Sequence, residues 1–247
     1  LTHHLFPEHH VKRNVSNAAK GFQFIKKRKA YCIAVSSATK CDLQREEGIT
    51  EDRIQVIYEA ADREVFNHIY DTDRVDKVLE GYGLERQQYF FSLATLEPRK
   101  NLKKTLEAFI HFKDAHPSSG IVFVAAGKLG WKEKLGFNNR KDIVHLGYVG
   151  EGELPALYSG ALGFAYVSKY EGFGLPLLEA MRCQVPVIYG ANSSMKEIVG
   201  PHGLGVDAES TLEISNAFGI IFEDEVKRTE LIKKGYNGYF SLEPFAD

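Results

Sequence analysis

The sequence is short of several things, and each shortage excludes a class of protein. Only three cysteines occur, Cys32, Cys41 and Cys183. None stands in a CxxC or paired spacing, so no disulfide framework or zinc ribbon is encoded, and the usage fits a reducing compartment. No apolar run approaches the roughly 18 residues that a bilayer span needs. The first residues carry His3, His4, Glu8, His9 and His10 where a secretory signal would be apolar. An excess of one charge is missing as well, with 31 basic side chains against 33 acidic ones and a pI near 6.6. That balance gives no overall attraction to nucleic acid or to an anionic membrane. Proline is scarce, 8 in 247 residues, and no repeat or low-complexity stretch is visible. Two phosphate signatures are absent too. Gly127-Lys128 runs on into Leu129 with no glycine five positions before Gly127, so it is not a P-loop, and no GxGxxG follows a strand.

What is present is an ordinary globular composition, 44% apolar and 26% charged with 22 glycines, in a length that suits one large or two small domains. From Phe90 onward short apolar runs alternate with helical periods. Strands are expected at Phe90–Ala94, Ile121–Ala126, Ile143–Leu146, Leu162–Val167 and Pro186–Tyr189. Helices are expected near Leu102–His116, Glu153–Tyr158, Leu175–Arg182 and over Thr211–Gly235, the last broken near Glu223. This is the pattern of an α/β chain with a Rossmann-like, doubly wound parallel sheet, whose ligands bind at the carboxyl ends of the strands.

The first third reads differently. Residues 11–40 hold Lys12, Arg13, Lys20, Lys26, Lys27, Arg28, Lys29 and Lys40 and no acid. A solvated helix face explains the block, and peripheral contact of residues 12–40 with an anionic membrane is the alternative. The chain is accordingly read as cytoplasmic, with the inner face of the membrane as the variant. Tyr31–Val35 reads as a strand feeding a helix capped by Ser36 or Ser37, Ile54–Tyr58 as a further strand, and Glu59–Asp76 as a charged connector. The division expected is a small α/β unit with its linker over residues 1–66 and a larger unit over residues 67–247.

The most informative segment is Ser168-Lys-Tyr-Glu-Gly-Phe-Gly-Leu-Pro-Leu-Leu-Glu-Ala-Met181. It sets Glu171 in a glycine-bearing loop after a strand and Glu179 two turns into the next helix. Gly172 and Gly174 would let backbone approach a ligand, and the helix-start amides form a seat for an anion. Ionised carboxylates are pure acceptors, so one can hold sugar hydroxyls and the other a ribose diol. A tight turn and a solvated Glu179 would explain the same spacing. The second motif is Leu96-Glu-Pro-Arg-Lys-Asn-Leu102, where Arg99 and Lys100 oppose the dipole of the helix they precede. A bound diphosphate would justify them, Arg clamping two oxygens and Lys adding a point charge, while solvation at the surface is the alternative.

Glu171-Gly-Phe-Gly-Leu-Pro with Glu179, the Glu-Pro-Arg-Lys-Asn turn, Leu146-Gly-Tyr-Val149 followed by Leu154-Pro-Ala-Leu-Tyr-Ser159, and Pro186-Val-Ile188 together resemble the retaining nucleotide-sugar glycosyltransferases of family 4, with the GT-B fold. The resemblance runs from about Tyr31 to the end. It implies that Glu171 meets the donor sugar and Glu179 the ribose, with Gly172, Phe173, Gly174 and Leu175 around them. It also implies that Arg99 and Lys100 hold the diphosphate and that backbone around Val149 meets the base. By the same resemblance the donor is a GDP- or UDP-sugar, and a mannosyl or glucosyl group passes, with no metal or other cofactor, to a glycan or lipid-linked acceptor. Two departures stand out. Ala94-Thr95 occupies the place where the family usually carries an Arg, and Leu1–Asp62 resembles only the tail of the family's amino-terminal domain. A chain of that kind is expected to bind donor, to need the acceptor half from a longer protein or from a partner chain, and to self-associate or take a partner through the small unit.

Other signals count for less. The histidine doublets lack the spacing of a metal site, and Asp71-Thr-Asp73 is read as a helix cap or linker rather than a metal pair. Ser194-Met-Lys-Glu197 has capping-box spacing, with a ligand contact from Ser193 or Ser194 left open. Trp131 is read as a packing anchor.

Overall fold

A computed structural model describes residues 5–6, 12–69, 71–93, 97–127, 136 and 140–241. The larger unit is built on six parallel strands: β3 (Tyr89–Leu93), β4 (Val122–Ala126), β5 (Ile143–Gly147), β6 (Gly163–Tyr166), β7 (Val187–Gly190) and β8 (Leu204–Val206). They lie in the order β5-β4-β3-β6-β7-β8. The order reverses between β3 and β6, which pair directly through Phe90 with Gly163 and Phe91 with Phe164. At such a reversal the chain leaves the two strand ends in opposite directions and a crevice opens between the loops. The loop after β3 carries Arg99 and Lys100, and the loop after β6 carries Glu171, so topology alone brings the two motifs together.

Strand alternation divides the core into two layers. Tyr89 and Phe91 face one side, with Tyr158, Phe164, Leu177 and Met181. That side is covered by α3 (Thr72–Gly81), α5 (Leu154–Gly160), α6 (Leu175–Arg182), α7 (Ser193–Ile198) and α9 (Glu225–Ser241). Phe90 faces the other side and meets Phe109, Phe112 and Phe218, the last with ring centres 4.7 Å apart. Here α4 (Leu102–Ala115) packs on α8 (Thr211–Glu223). Both faces buried is the doubly wound arrangement, which is why these strands read as continuous apolar runs.

The small unit pairs β1 (Cys32–Ala34) in parallel with β2 (Ile54–Val56), flanked by α1 (Lys12–Arg28) and α2 (Ser37–Glu47). Its core is Ala34, Leu43, Ile49 and Ile54, with Phe22 and Ile25 of α1 against it. Ser36 caps α2 as expected, its hydroxyl accepting from Thr39 N. Ala61 and Phe66 pack into the larger core, and the Tyr239 hydroxyl of α9 donates to Ala61 O at 3.2 Å.

Three expectations change. The charged connector ends earlier than Asp76, because Asp71 accepts from the amides of Asp73 and Arg74 and starts α3 at Thr72. β8 has no counterpart in the expected strands, since three residues after Gly203, with Gly205 at their centre, give no period to read. The capping box is not formed: Asn192 stands at the cap of α7, and Ser194 and Glu197 are engaged elsewhere.

Candidate functional site

The site begins with how each loop is held. Pro98 opens a short 3-10 turn, and Asn101 closes it with φ 56°, a left-handed conformation that Asn adopts more readily than most residues. The Asn101 amide then donates to Val167 O and Ala208 O at 3.1 and 2.7 Å, tying the β3 loop to the end of β6. In the β6 loop, Gly174 sits at φ 119° before Pro176 in the first turn of α6, and the turn requires glycine there. Gly172 needs no such freedom, because an added Cβ would meet only the Thr39 hydroxyl, at 3.7 Å. Backbone conformation therefore requires glycine at Gly174 and not at Gly172.

Arg99, Lys100 and Glu171 form one ion cluster. Arg99 Nη1 lies 2.9 Å from Glu171 Oε2 and Lys100 Nζ 2.8 Å from Glu171 Oε1, with all three side chains at most 14% exposed. Lys100 also donates to the Tyr166 hydroxyl, its Nζ lying 4.9 Å from the ring centre, and Arg99 donates to Tyr170 O and pairs with Glu97. The cations facing the α4 dipole thus have an internal partner, and surface solvation does not describe them. Burial opposes the charge on Glu171, but Lys100 and Arg99 outweigh it and hold its carboxyl below the usual range. Burial and the neighbouring Arg99 make Lys100 easier to deprotonate than an ordinary lysine, although Glu171 resists this.

Glu179 has a different setting. It accepts from the Tyr158 hydroxyl at 2.8 Å, and burial pushes its carboxyl up. Below it the Cys183 thiol is pushed up to about 12 by burial and then by Glu179, which leaves it an inert thiol at neutral pH. Phe173 and Val149 are buried in the core, so Val149 offers a ligand only its backbone, and Leu175 packs partly against the same core.

Several residues hold the site through contacts that local spacing does not reveal. Ser193 and Ser194 hold the loop from beneath: the Ser193 hydroxyl accepts from Glu171 N, and Ser194 donates to Glu171 O and Phe173 O. The small unit reaches the same loop, with the Ser36 and Thr39 hydroxyls both donating to Gly172 O. Tyr170 donates to Asp42 and lies against Phe6, the two rings tilted at 51° with their centres 5.5 Å apart. Glu197 crosses back in the other direction, accepting from the amides of Ser37 and Ala38 at the start of α2 and from the Tyr58 hydroxyl. The capping-box spacing hid it, because the carboxylate caps a helix distant in sequence. Among the described residues, open clefts of about 320 Å³ each lie on two sides of this region. One lies against α2, Tyr170 and Ser193, the other beside Pro98, Asn101 and Lys104, and Lys169 lines both.

Glu197→Ala is expected to cost about 1–2 kcal/mol, the usual worth of a helix N-cap, read as a lower denaturant midpoint, with Glu197→Gln recovering part of it. Burial works against the Glu197 charge, but Tyr58 and the α2 amides hold its carboxyl below the usual range. This stabilisation is therefore complete above the ordinary carboxylate range and is lost as pH falls through the depressed value. A midpoint unchanged in the alanine variant would refute the clasp.

Asp71 takes the helix-cap role, and among the described residues no three His, Cys, Asp or Glu side chains are grouped to hold a metal. His3, His4, Glu8, His9, His10, Ala94, Thr95, Lys128 and Trp131 lie outside the described residues. Among the described residues no helix is long and apolar enough to cross a membrane.

The sequence model of the family described as glycosyl transferases group 1 matches residues 77–238. The O-antigen chain mannosyltransferase B of Escherichia coli is 38% identical over 144 residues, covering 56% of this chain and 38% of that protein. The serotype-specific mannosyltransferase WbdA of Escherichia coli is 29% identical over 177 residues, covering 68% and 21%. The chain thus spans well under half the length of these curated relatives. Among solved structures, Anabaena HepE in complex with UDP and glucose matches with a TM-score of 0.79 at 20% identity, covering 98% of this chain and 66% of that one. The C-terminal domain of a glycosyl transferase group 1 family protein, LpcC, from Francisella tularensis matches with a TM-score of 0.63 at 22% identity, covering 74% and 97%. At these identities the two structures speak for the fold alone.

Proposed function

The chain belongs to the glycosyl transferases group 1 family, and from that premise we propose that it carries the donor site of a retaining, metal-independent hexosyltransferase in glycan or polysaccharide assembly. The observation that carries the reading is the junction of Lys100 and Arg99 with Glu171 at the point where the strand order reverses. A nucleoside diphosphate sugar lies along the β6 loop, with diphosphate toward Lys100, Arg99 and the first amides of α6, sugar toward Glu171 and ribose toward Glu179. An incoming diphosphate competes with Glu171 for Lys100. As it draws the ammonium away, Oε1 of Glu171 is freed to accept from a sugar hydroxyl, so one exchange seats both halves of the donor. In the transfer, the bond from the sugar's anomeric carbon to the diphosphate oxygen breaks and the acceptor hydroxyl attacks on the same face. Its proton passes to the departing oxygen, and the basic side chains meet the leaving charge.

The relatives' names as mannosyltransferases favour a mannosyl group, and the HepE complex with UDP and glucose supports a uridine donor; the donor in this reading is a GDP- or UDP-sugar. The acceptor is a glycan or a lipid-linked saccharide. A smaller acceptor-side unit over residues 1–66 and a donor-binding unit over residues 67–247 complete the proposal, and the hydroxyls of Ser36 and Thr39 on Gly172 O give the first a direct hold on the second's loop.

A thermal-shift panel of UDP, GDP, ADP and their sugars tests the reading. A ligand that binds only the folded chain stabilises by about 2.7 kcal/mol at a hundredfold excess over Kd. One nucleotide is expected to raise the midpoint by several degrees and to do so equally in chelator. Protection by none, or only with added magnesium or manganese, would refute the reading.

A further inference from the structure

Helix α1 has two unlike faces. Phe22 and Ile25 turn onto the small core, and Val15 and Ala18 on the same side are half-buried. With about 3.6 residues per turn, the opposite face carries Arg13, Lys20, Phe24 and Lys27, flanked by Lys12 and Arg28, and all six are exposed. The helix contains no acidic residue. Lys26, which leans toward the covered side, pairs with Glu47 at 2.8 Å. Among the described residues no carboxylate pairs with Lys12, Arg13, Lys20, Lys27 or Arg28. Phe24 stands in the middle of this face at 60% exposure, with the Arg28 guanidinium 5.8 Å from its ring centre.

Solvation alone does not account for this pattern. The whole chain has 31 basic and 33 acidic side chains, so an acid-free stripe is a local segregation of charge rather than a sample of the surface. A large aromatic ring held out among cations leaves apolar area in water that a polar residue would not. A face with cations around one aromatic ring matches a surface that is anionic at its plane and apolar just beneath. There the cations meet lipid phosphates, and the ring reaches the acyl boundary.

We propose that the outward face of α1 docks the protein on the surface of an anionic lipid bilayer, with Arg13, Lys20 and Lys27 on the headgroups and Phe24 as the apolar contact. The docking stands apart from the donor site and does not rest on the donor reading.

Co-sedimentation of the full chain with vesicles of phosphatidylcholine containing phosphatidylglycerol, against vesicles of phosphatidylcholine alone, tests it. The expected result is binding to the anionic vesicles only, weakening with added salt. The double variant Lys20→Glu/Lys27→Glu is expected to lower partitioning at least about tenfold, since each cation near the surface contributes measurably to the attraction. Phe24→Ala is expected to lower it several-fold. All three residues are exposed, so the variants are expected to keep the thermal midpoint of the parent. No binding to the anionic vesicles at low salt, equal binding to both kinds, no loss on charge reversal, or preference for single-stranded nucleic acid over vesicles would each overturn the proposal.

Discussion

Glu171→Ala is expected to lower the stability of the fold by about 3–5 kcal/mol, because it removes the one carboxylate shared by two buried cations. Arg99 and Lys100 pair with opposite oxygens of Glu171, and the Arg99 and Glu171 side chains are each 9% exposed. Without Glu171, Glu97 at 3.3 Å is the remaining acidic partner of Arg99. Lys100 can shed its proton, which burial already favours, and this limits the cost without abolishing it. For a chain of this size the loss corresponds to roughly 6–20 °C in the thermal midpoint. Glu171→Gln, which keeps the shape and one acceptor oxygen, is expected to fall between parent and alanine variant. The effect carries its own pH signature. The Glu171 carboxyl is depressed in the folded state, so its contribution is complete above the ordinary glutamate value near 4.3 and disappears as pH falls through the depressed one. The gap between parent and Glu171→Ala should therefore narrow in acid. An alanine variant as stable as its parent at neutral pH would show that the cluster is not formed in solution.

Lys100→Ala is expected to weaken a nucleoside diphosphate about ten- to a hundredfold while leaving the free nucleoside nearly unchanged, as a charge-assisted contact is worth roughly 1.5–3 kcal/mol. Two contributions act in opposite directions. The parent must release Lys100 from Glu171 to engage the phosphates, and the variant is spared that step. The variant also leaves a Glu171 oxygen unscreened toward the incoming diphosphate, and that repulsion adds to the lost attraction. Calorimetry with UDP or GDP against uridine or guanosine separates the outcomes. Equal losses for nucleotide and nucleoside would move Lys100 off the phosphates and make its role one of folding alone.

Much of the architecture was legible because it rests on local chemistry. The short apolar, aromatic-rich runs beginning at Phe90 and Leu162 read as strands because turn residues bound them and helical periods follow, and Gly174-Leu-Pro suits a turn into a helix. The last helical stretch was expected to break near Glu223, and it does so at Asp224. The candidate residues Arg99, Lys100 and Glu171 are legible for the same reason, each standing in or next to the turn that places it, and Glu179 follows on the helix that the second turn starts.

The sequence by itself determined the doubly wound class, the two loops and the chemical kinds of side chain on them. The tertiary structure alone decided who meets whom. Parallel pairing of β3 with β6 is a contact between segments more than 70 residues apart, and it converts two separate motifs into one cluster, Lys100 and Arg99 on Glu171. Glu197 carries the same lesson, since its spacing to Ser194 suits a local cap while its carboxylate serves Ser37, Ala38 and Tyr58. Periodicity and turn preference act over a few residues along the chain. Electrostatic partnership acts over a few ångströms in space, and only the folded topology relates the two.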